Sequence, residues 1–475
     1  VSFIDTLLSR MTLEEKLGQM TMTASGQTVT GPVIAGDSTD SIRAGAIGNL
    51  LNLYGASAVH NMQDLAVRES RLGIPLLFAL DVIHGHRHLF PIPLAEAGIF
   101  DPQAWEESAR IAACEAAADG IAMTFAPMAD VSRDPRWGRT AEGPGEDPWV
   151  AAQWAYAKVR GFQGDNLASA ERVAAVVKHF CAYGAVSAGR DYASVDISER
   201  TLHEVHLPAF EAAVDAGVAA VMPAFTDLAG VPMTAHRALL KTHLRDRLGF
   251  QGVIVTDYTA IAELLKHGVA ESLAHAAALA LHAGVDIDMM SDAFRKGLPE
   301  ALTKGWVHLE QIDAAVGRIL RLKERLGLFD DPYRRGSAVP PSTMHGWRDE
   351  ARRNAGRSLV LLKNQNHTLP LVPARQRLAL IGPMSNAAEQ MRGCWWAAGT
   401  ADDHVPVLAG ISNRFGQASL RQLDGVPLVE RIGRETPTQR FVAEPDNGSP
   451  DFSPVLDACD WATHIVLCLG ESATM

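Results

Sequence analysis

No stretch of the 475 residues reaches the ~18 consecutive apolar residues of a membrane-spanning helix. Positive charge is also short. Against 55 acidic residues stand 43 basic ones, and the net charge of -12 argues against nucleic acid or an anionic membrane as the main partner. Cysteine is scarce. The five (Cys114, Cys181, Cys394, Cys459, Cys468) are odd in number, scattered and without metal-type spacing. Their mostly apolar surroundings predict buried free thiols rather than disulfides. Several chemical signatures are missing too. No Gly-x-Gly-x-x-Gly follows the first strand-like run, which weakens a dinucleotide fold, and there is no nucleophile-elbow serine, phosphate loop or His-Glu-x-x-His helix. No signal peptide is visible, and a start at Val1 is compatible with a removed export signal. What is present, 47% hydrophobic and 21% charged residues, is the composition of a soluble globular protein long enough for two or more domains.

Short apolar runs alternate with amphipathic stretches over the first two thirds of the chain. The runs are Ala46–Leu53, Pro75–Val82, Met123–Val131, Val173–Phe180, Ala219–Phe225, Gly252–Tyr258 and Val285–Met290; helical patterns such as Ala104–Asp119, Pro148–Gly161 and Glu271–Ala283 separate them. Thr12 and Glu15 have capping-box spacing at a helix start. Seven or eight strand-helix units in about 330 residues imply a parallel (β/α)8 barrel-like domain, with an open doubly wound sheet as the alternative. A helix from about His308 to Leu326 closes this part. The proline-broken, charged segment Asp330–Ser342 then reads as a linker. The expected organisation is a barrel domain over 1–333, a linker over 334–346, and part of an α/β sandwich domain over 347–475. That second domain begins with a helix near Trp347–Leu362, with strands at Leu378–Ile381 and Thr463–Leu469. About 80 loop-like residues between those strands exceed what a compact domain tolerates, so the sandwich reads as truncated or continuing past Met475.

In a parallel barrel the C-terminal strand ends face the active site. At those ends this sequence puts Asp81, Lys178, His179, Phe225 and Asp257, with Asp286 and Asp288 on the last strand. Acids, a Lys–His pair and an aromatic on one face suit a neutral polyol. Each residue also has a plainer reading. Asp257 could cap the following helix, His179 could be a core histidine, Phe225 could be core, and Arg139 could be a surface ion-pair partner of Glu142. Met222 contacts either core or site wall. Lys178 is harder to dismiss, because a lysine at a buried strand end must find a partner. Asp286 and Asp288, at i and i+2, read as structural acids rather than as a metal site.

Five segments, in order, resemble those of glycoside hydrolase family 3, the β-glucosidase group: Leu80–Ala97, Arg133–Pro148, Val176–Gly184 followed by Gly189-Arg190-Asp191-Tyr192, Val221–Pro232 and Gly252–Ile261. The resemblance covers nearly all of the chain. It implies Asp257 as the covalent nucleophile, Asp81, Arg139, Lys178 and His179 as holders of sugar hydroxyls, and Met222 and Phe225 as subsite wall. Family members most often have Ser-Asp-Trp where this chain has Thr256-Asp257-Tyr258, and many carry Tyr at Phe225. Tyr258 still offers a flat face beside the nucleophile, so these departures bear on the leaving group, not on the reaction.

The implied function is a retaining, exo-acting β-glucosidase of short β-glucans and aryl or alkyl glucosides, with no cofactor and no metal. A β-xylosidase, a phosphorylase using the same covalent intermediate, or a carbohydrate-binding relative without catalysis are the alternatives. Such an enzyme needs a second carboxyl as proton donor. The resemblance implies a Glu on a second-domain loop beyond Met475, shortly after the strand ending Gly470-Glu471. The single-domain N-acetylglucosaminidase branch is disfavoured, because Cys181-Ala182-Tyr183-Gly184 replaces its Pro-Gly-His-Gly. The resemblance also implies a periplasmic or secreted location and a small-molecule or oligosaccharide substrate; a homodimer stays open.

Overall fold

The computed structural model describes residues 2–24, 38–427 and 451–473. The chain divides into two compact units, Val1–Ser358 and Leu359–Met475. The first is built on eight parallel strands: β1 (Thr21–Ala24), β2 (Asn49–Leu51), β3 (Leu77–Leu80), β4 (Met123–Thr124), β5 (Ala174–Phe180), β6 (Ala220–Pro223), β7 (Val253–Ile254) and β8 (Asp288–Met289). Each pairs with its neighbour from β1 to β7, and β8 pairs with β1. A parallel bridge between Val255 and Ile287 joins the end of β7 to β8 and closes the ring. This is the expected barrel, with every strand end on one rim.

Seven strands lie in the apolar runs, as strands buried on both faces should. The exception is β1, which the sequence reading missed. Its Thr-Met-Thr-Ala alternation looks half-polar, yet Thr21 is buried because its hydroxyl donates to Leu17 O at 2.9 Å. Around the barrel, α1 (Pro102–Ala118) and α2 (Pro148–Gln163) each begin with an Asp side chain accepting from the first free amides and a proline at the first helical position. They pack through Trp105, Trp154 and Ala157, with Lys158 buried against Glu96 at 2.7 Å and Ser108 at 2.7 Å. The Thr12–Glu15 capping box forms as expected.

The N-terminal rim is closed by a buried cation. Lys323, on α3 (Leu309–Arg325), donates to Gln19 Oε1 at 2.6 Å, Pro75 O at 2.8 Å and Gly48 O at 2.9 Å. Burial without a carboxylate partner pulls its ammonium down to about 7. The last strand is fixed by acids. Asp286 accepts from Arg245 at 2.6 Å, Arg318 at 2.7 Å and the amide of Ile254 at 2.8 Å. Asp288 accepts from the amides of Ala293 and Phe294 at 2.6 and 3.1 Å, at the start of the next helix. Both acids therefore hold structure.

The expected boundary at 334–346 falls inside the first unit. The buried guanidinium of Arg335 donates to the carbonyls of Arg172, Leu167 and Leu326 at 2.8, 3.0 and 3.1 Å, which ties the linker-like segment to the barrel. The following helix α4 (Pro341–Arg357), expected in the second domain and as far as Leu362, belongs to the barrel unit. Trp347 packs with Phe90, Ile111 and Cys114, and Arg357 pairs with Asp101 at 2.8 Å.

In the second unit β9 (Leu378–Ile381) lies between β10 (Leu420–Leu423) and β11 (His464–Leu467), all parallel. The helix Ser453–Trp461 covers Ala379 and Ile381 through Ala458. β10 falls in the interval expected to be loop, part of which (428–450) lies outside the described residues. All five cysteines are free; Cys114 and Cys181 are buried, whereas Cys394, Cys459 and Cys468 are half-buried, contrary to the expectation of burial.

Asp286→Ala should strand Arg245 and Arg318 and cost the first unit about 3–5 kcal/mol, read as a lowered urea midpoint. A loss below about 1 kcal/mol would mean that the two guanidinium groups find water instead.

Candidate active site

The site grows from the end of β5. In its pairing with β6, Lys178 faces Met222 and Phe180 faces Pro223, so His179 is an extra residue in the register. The peptides Lys178–His179 and Phe180–Cys181 are cis. Bulges of this kind re-aim side chains at barrel rims, and here neighbouring residues reach different partners. Lys178 crosses to Asp81, after β3, with Nζ 2.8 Å from Oδ1. His179 turns to the segment after β4, where Asp130 Oδ2 accepts from its backbone N at 2.9 Å and lies 2.8 Å from Nδ1.

Arg139, from the same segment, donates to His179 Nε2 at 2.9 Å and is clamped by Glu142 at 2.7 and 3.0 Å. The ion pair weighed from the sequence exists, but it is not on the surface: Glu142 is buried, and the pair aims Arg139 into the site. Burial, with Arg139 and Lys178 alongside, holds His179 far below the usual imidazole range. The ring is therefore neutral, with its proton on Nδ1 toward Asp130 and its Nε2 lone pair toward Arg139.

Asp257 follows β7. Its Oδ1 accepts from the amide of Tyr258 at 2.7 Å, and its Oδ2 lies 3.6 Å from His179 Nε2, too far for a hydrogen bond. Burial raises its carboxyl to about 6 against the opposing pull of Arg139 and Lys178. At neutral pH it is mostly ionised, and only partly solvated. That is the state a carboxylate nucleophile needs.

Asp81, Arg139, Lys178, His179 and Asp257 thus meet at one rim. Met222 is buried beside Lys178, and Phe225 sits one layer further out, with Tyr183 at 6.3 Å between ring centres. Tyr258 is half-buried next to Asp257. Sequence reading missed Asp130, whose partner is 49 positions away, although it lies near the end of the apolar run Met123–Val131, where an acid is informative. It also gave no role to Tyr183, whose ring packs edge-on to His179 at 5.3 Å and under Arg139 at 5.5 Å. Glu263 was missed as well; burial and the charge of Asp257 raise its carboxyl.

The family description "Glycosyl hydrolase family 3 N terminal domain" matches residues 12–322 of this chain, and "Glycosyl hydrolase family 3 C-terminal domain" matches 359–474. The chain belongs to glycosyl hydrolase family 3. Within the family it is 41% identical over its whole length to the periplasmic beta-glucosidase of Salmonella typhimurium, of which it covers 63%. To a beta-xylosidase of Formosa agariphila it is 33% identical over 87% of its length, covering 55% of that protein. Among solved structures, the beta-glucosidase of Listeria innocua in complex with isofagomine superposes with a TM-score of 0.87 at 35% identity, over 99% of this chain and 65% of that one. The chain thus spans under two thirds of these family 3 proteins.

Titration of the Asp257 carboxyl by carbon NMR should give a midpoint near 6. Lys178→Met should move it upward by about one unit or more, since a nearby cation favours the ionised form. An unmoved midpoint would show that Lys178 is spent on Asp81 alone.

Proposed function

We propose that this chain supplies the sugar-binding pocket and the nucleophile of a retaining, exo-acting β-glucosidase. Asp257 carries the proposal: a partly desolvated carboxylate at a strand end, beside a neutral imidazole and within the field of two cations. One carboxylate oxygen attacks the anomeric carbon as the bond to the leaving oxygen breaks, and the leaving oxygen takes a proton from a second carboxyl. Water then releases the sugar with net retention. The Asp81–Lys178 pair offers an acceptor and a donor to adjacent ring hydroxyls, and Arg139 offers a further donor. Such pairs, gathered on one barrel rim, suit a terminal sugar residue, and the reading is exo action on β-glucosides and short β-gluco-oligosaccharides. The name of the Salmonella relative supports both glucoside specificity and a periplasmic or exported location.

A β-xylosidase is the second reading, supported by the name of the Formosa relative. The two sugars differ by one hydroxymethyl group, so a site shaped for glucose should prefer an aryl β-glucoside to the β-xyloside by about tenfold or more in kcat/KM. The reverse order would replace the glucosidase reading.

The decisive test is labelling with 2-deoxy-2-fluoro-β-glucosyl fluoride, followed by intact mass and peptide mapping. Fluoride leaves without a proton donor, so the reagent reads the attack step alone. The expected adduct is one fluoroglucosyl group on the peptide bearing Asp257, absent in Asp257→Ala. The rate should fall as pH drops through about 6, because protonation removes the nucleophile. Glucoside binding without any adduct would mark a carbohydrate-binding protein instead.

A further inference from the structure

One aromatic near the site has no role in the scheme above. Tyr192 lies in the segment after β5 with its backbone at φ +63°, a region bulky residues rarely occupy. Its neighbours hold it there. Asp191 accepts from the Tyr183 hydroxyl at 2.6 Å and from Trp137 Nε1 at 3.0 Å, and Ala193 N donates to Arg190 O at 3.1 Å. Backbone outliers fixed from several sides cluster where a side chain must be presented in one orientation.

The ring completes a series leading out of the pocket. His179 is buried 3.6 Å from the nucleophile, and Tyr183 is buried with its ring 5.3 Å from His179. Phe225, 8% exposed, comes next, and Tyr192, 45% exposed, lies on Phe225 at 4.7 Å with its plane tilted by 43°. Exposure rises along the series, so Tyr192 is its solvent-facing end. The charge of Asp257 reaches it: after burial, that carboxylate is the largest influence raising the Tyr192 hydroxyl.

We propose that Tyr192, backed by Phe225, is the specificity-determining platform for the leaving group, taking the flat face of an aryl aglycone or of a second β-linked glucose. The assignment rests on the reading of Asp257 as a glycosidase nucleophile. A ring backed by a second aromatic and locked by its neighbours offers apolar contact area with little ordering cost. A leaving group without a flat face gains nothing from it.

The test compares the full-length protein with its Tyr192→Phe and Tyr192→Ala variants. The substrates are p-nitrophenyl β-glucoside, cellobiose and methyl β-glucoside, with 2-deoxy-2-fluoro-β-glucosyl fluoride as the reagent that carries no aglycone. Tyr192→Ala should lose about three- to tenfold in kcat/KM on the aryl glucoside, on cellobiose or on both, mainly through KM. Which of the two suffers identifies the leaving group the platform serves. Methyl β-glucoside turnover and the rate of fluoride labelling should stay unchanged, and Tyr192→Phe should stay within about twofold of the parent on every substrate. An equal loss in fluoride labelling would make Tyr192 a structural support of the sugar pocket and overturn the proposal. So would unchanged kinetics on both flat substrates. If the parent protein itself takes no label, the glucosidase reading fails first and this assignment falls with it.

Discussion

Buried charge has to be balanced locally, and that constraint shapes this molecule more than any other. At the C-terminal rim two cations, Lys178 and Arg139, meet three carboxylates, Asp81, Glu142 and Asp257. Asp81 and Glu142 each hold one cation in direct contact. Asp257 feels both from a distance, and it lies 3.6 Å from an imidazole kept neutral by burial and by the same two cations. A carboxylate in full contact with a guanidinium would be stable and inert. One left without a cation in a dry pocket would be protonated. Sharing two cations that are already engaged keeps Asp257 ionised at neutral pH, with one oxygen hydrogen-bonded to an amide and the other 3.6 Å from His179 Nε2.

The opposite rim solves the same problem for stability. Lys323 has three neutral oxygens instead of a counter-ion, and they come from the segments leading into β1, β2 and β3. Asp286 has two guanidinium groups, one from the helical segment 238–247 and one from α3. Each of these buried groups draws together elements far apart in sequence, so the barrel is pinned at one end by groups held in direct contact and leaves at the other a carboxylate with no cation in contact. That division between a rim for stability and a rim for chemistry is the usual one for this architecture.

Much of this was legible beforehand because it rests on local pattern. A strand buried on both faces must be apolar throughout, which revealed seven of eight strands, and an ionisable residue at the end of such a run is conspicuous, which revealed Asp81, Lys178 and Asp257. What stayed hidden depends on contacts distant in sequence. β1 contains two threonines and passes for a half-exposed strand until Leu17 O is seen to take the Thr21 hydroxyl. Arg335 reads as part of a charged linker until its guanidinium is found among carbonyls more than 160 positions away. The same holds for α4, which read as the start of a new domain because it follows that linker-like segment, and whose Trp347 belongs to the old one. Asp130 and Tyr192 lay within stretches already singled out but were given no role of their own, because only their partners distinguish them.

The departures from the family pattern make physical sense together. Phe225 stands where many relatives carry Tyr, and a phenolic hydroxyl there would have to find a partner in a layer made of the rings of Tyr183, Phe225 and Tyr192. Phenylalanine meets that demand by having no polar atom to satisfy, and its bare face can then back the ring of Tyr192. Tyr258, in place of Trp, presents a smaller surface beside the nucleophile, so less of the leaving group's contact area comes from that side. The chemistry proposed at Asp257 does not depend on these rings, because none of these aromatic residues supplies a charge or a proton to the anomeric centre.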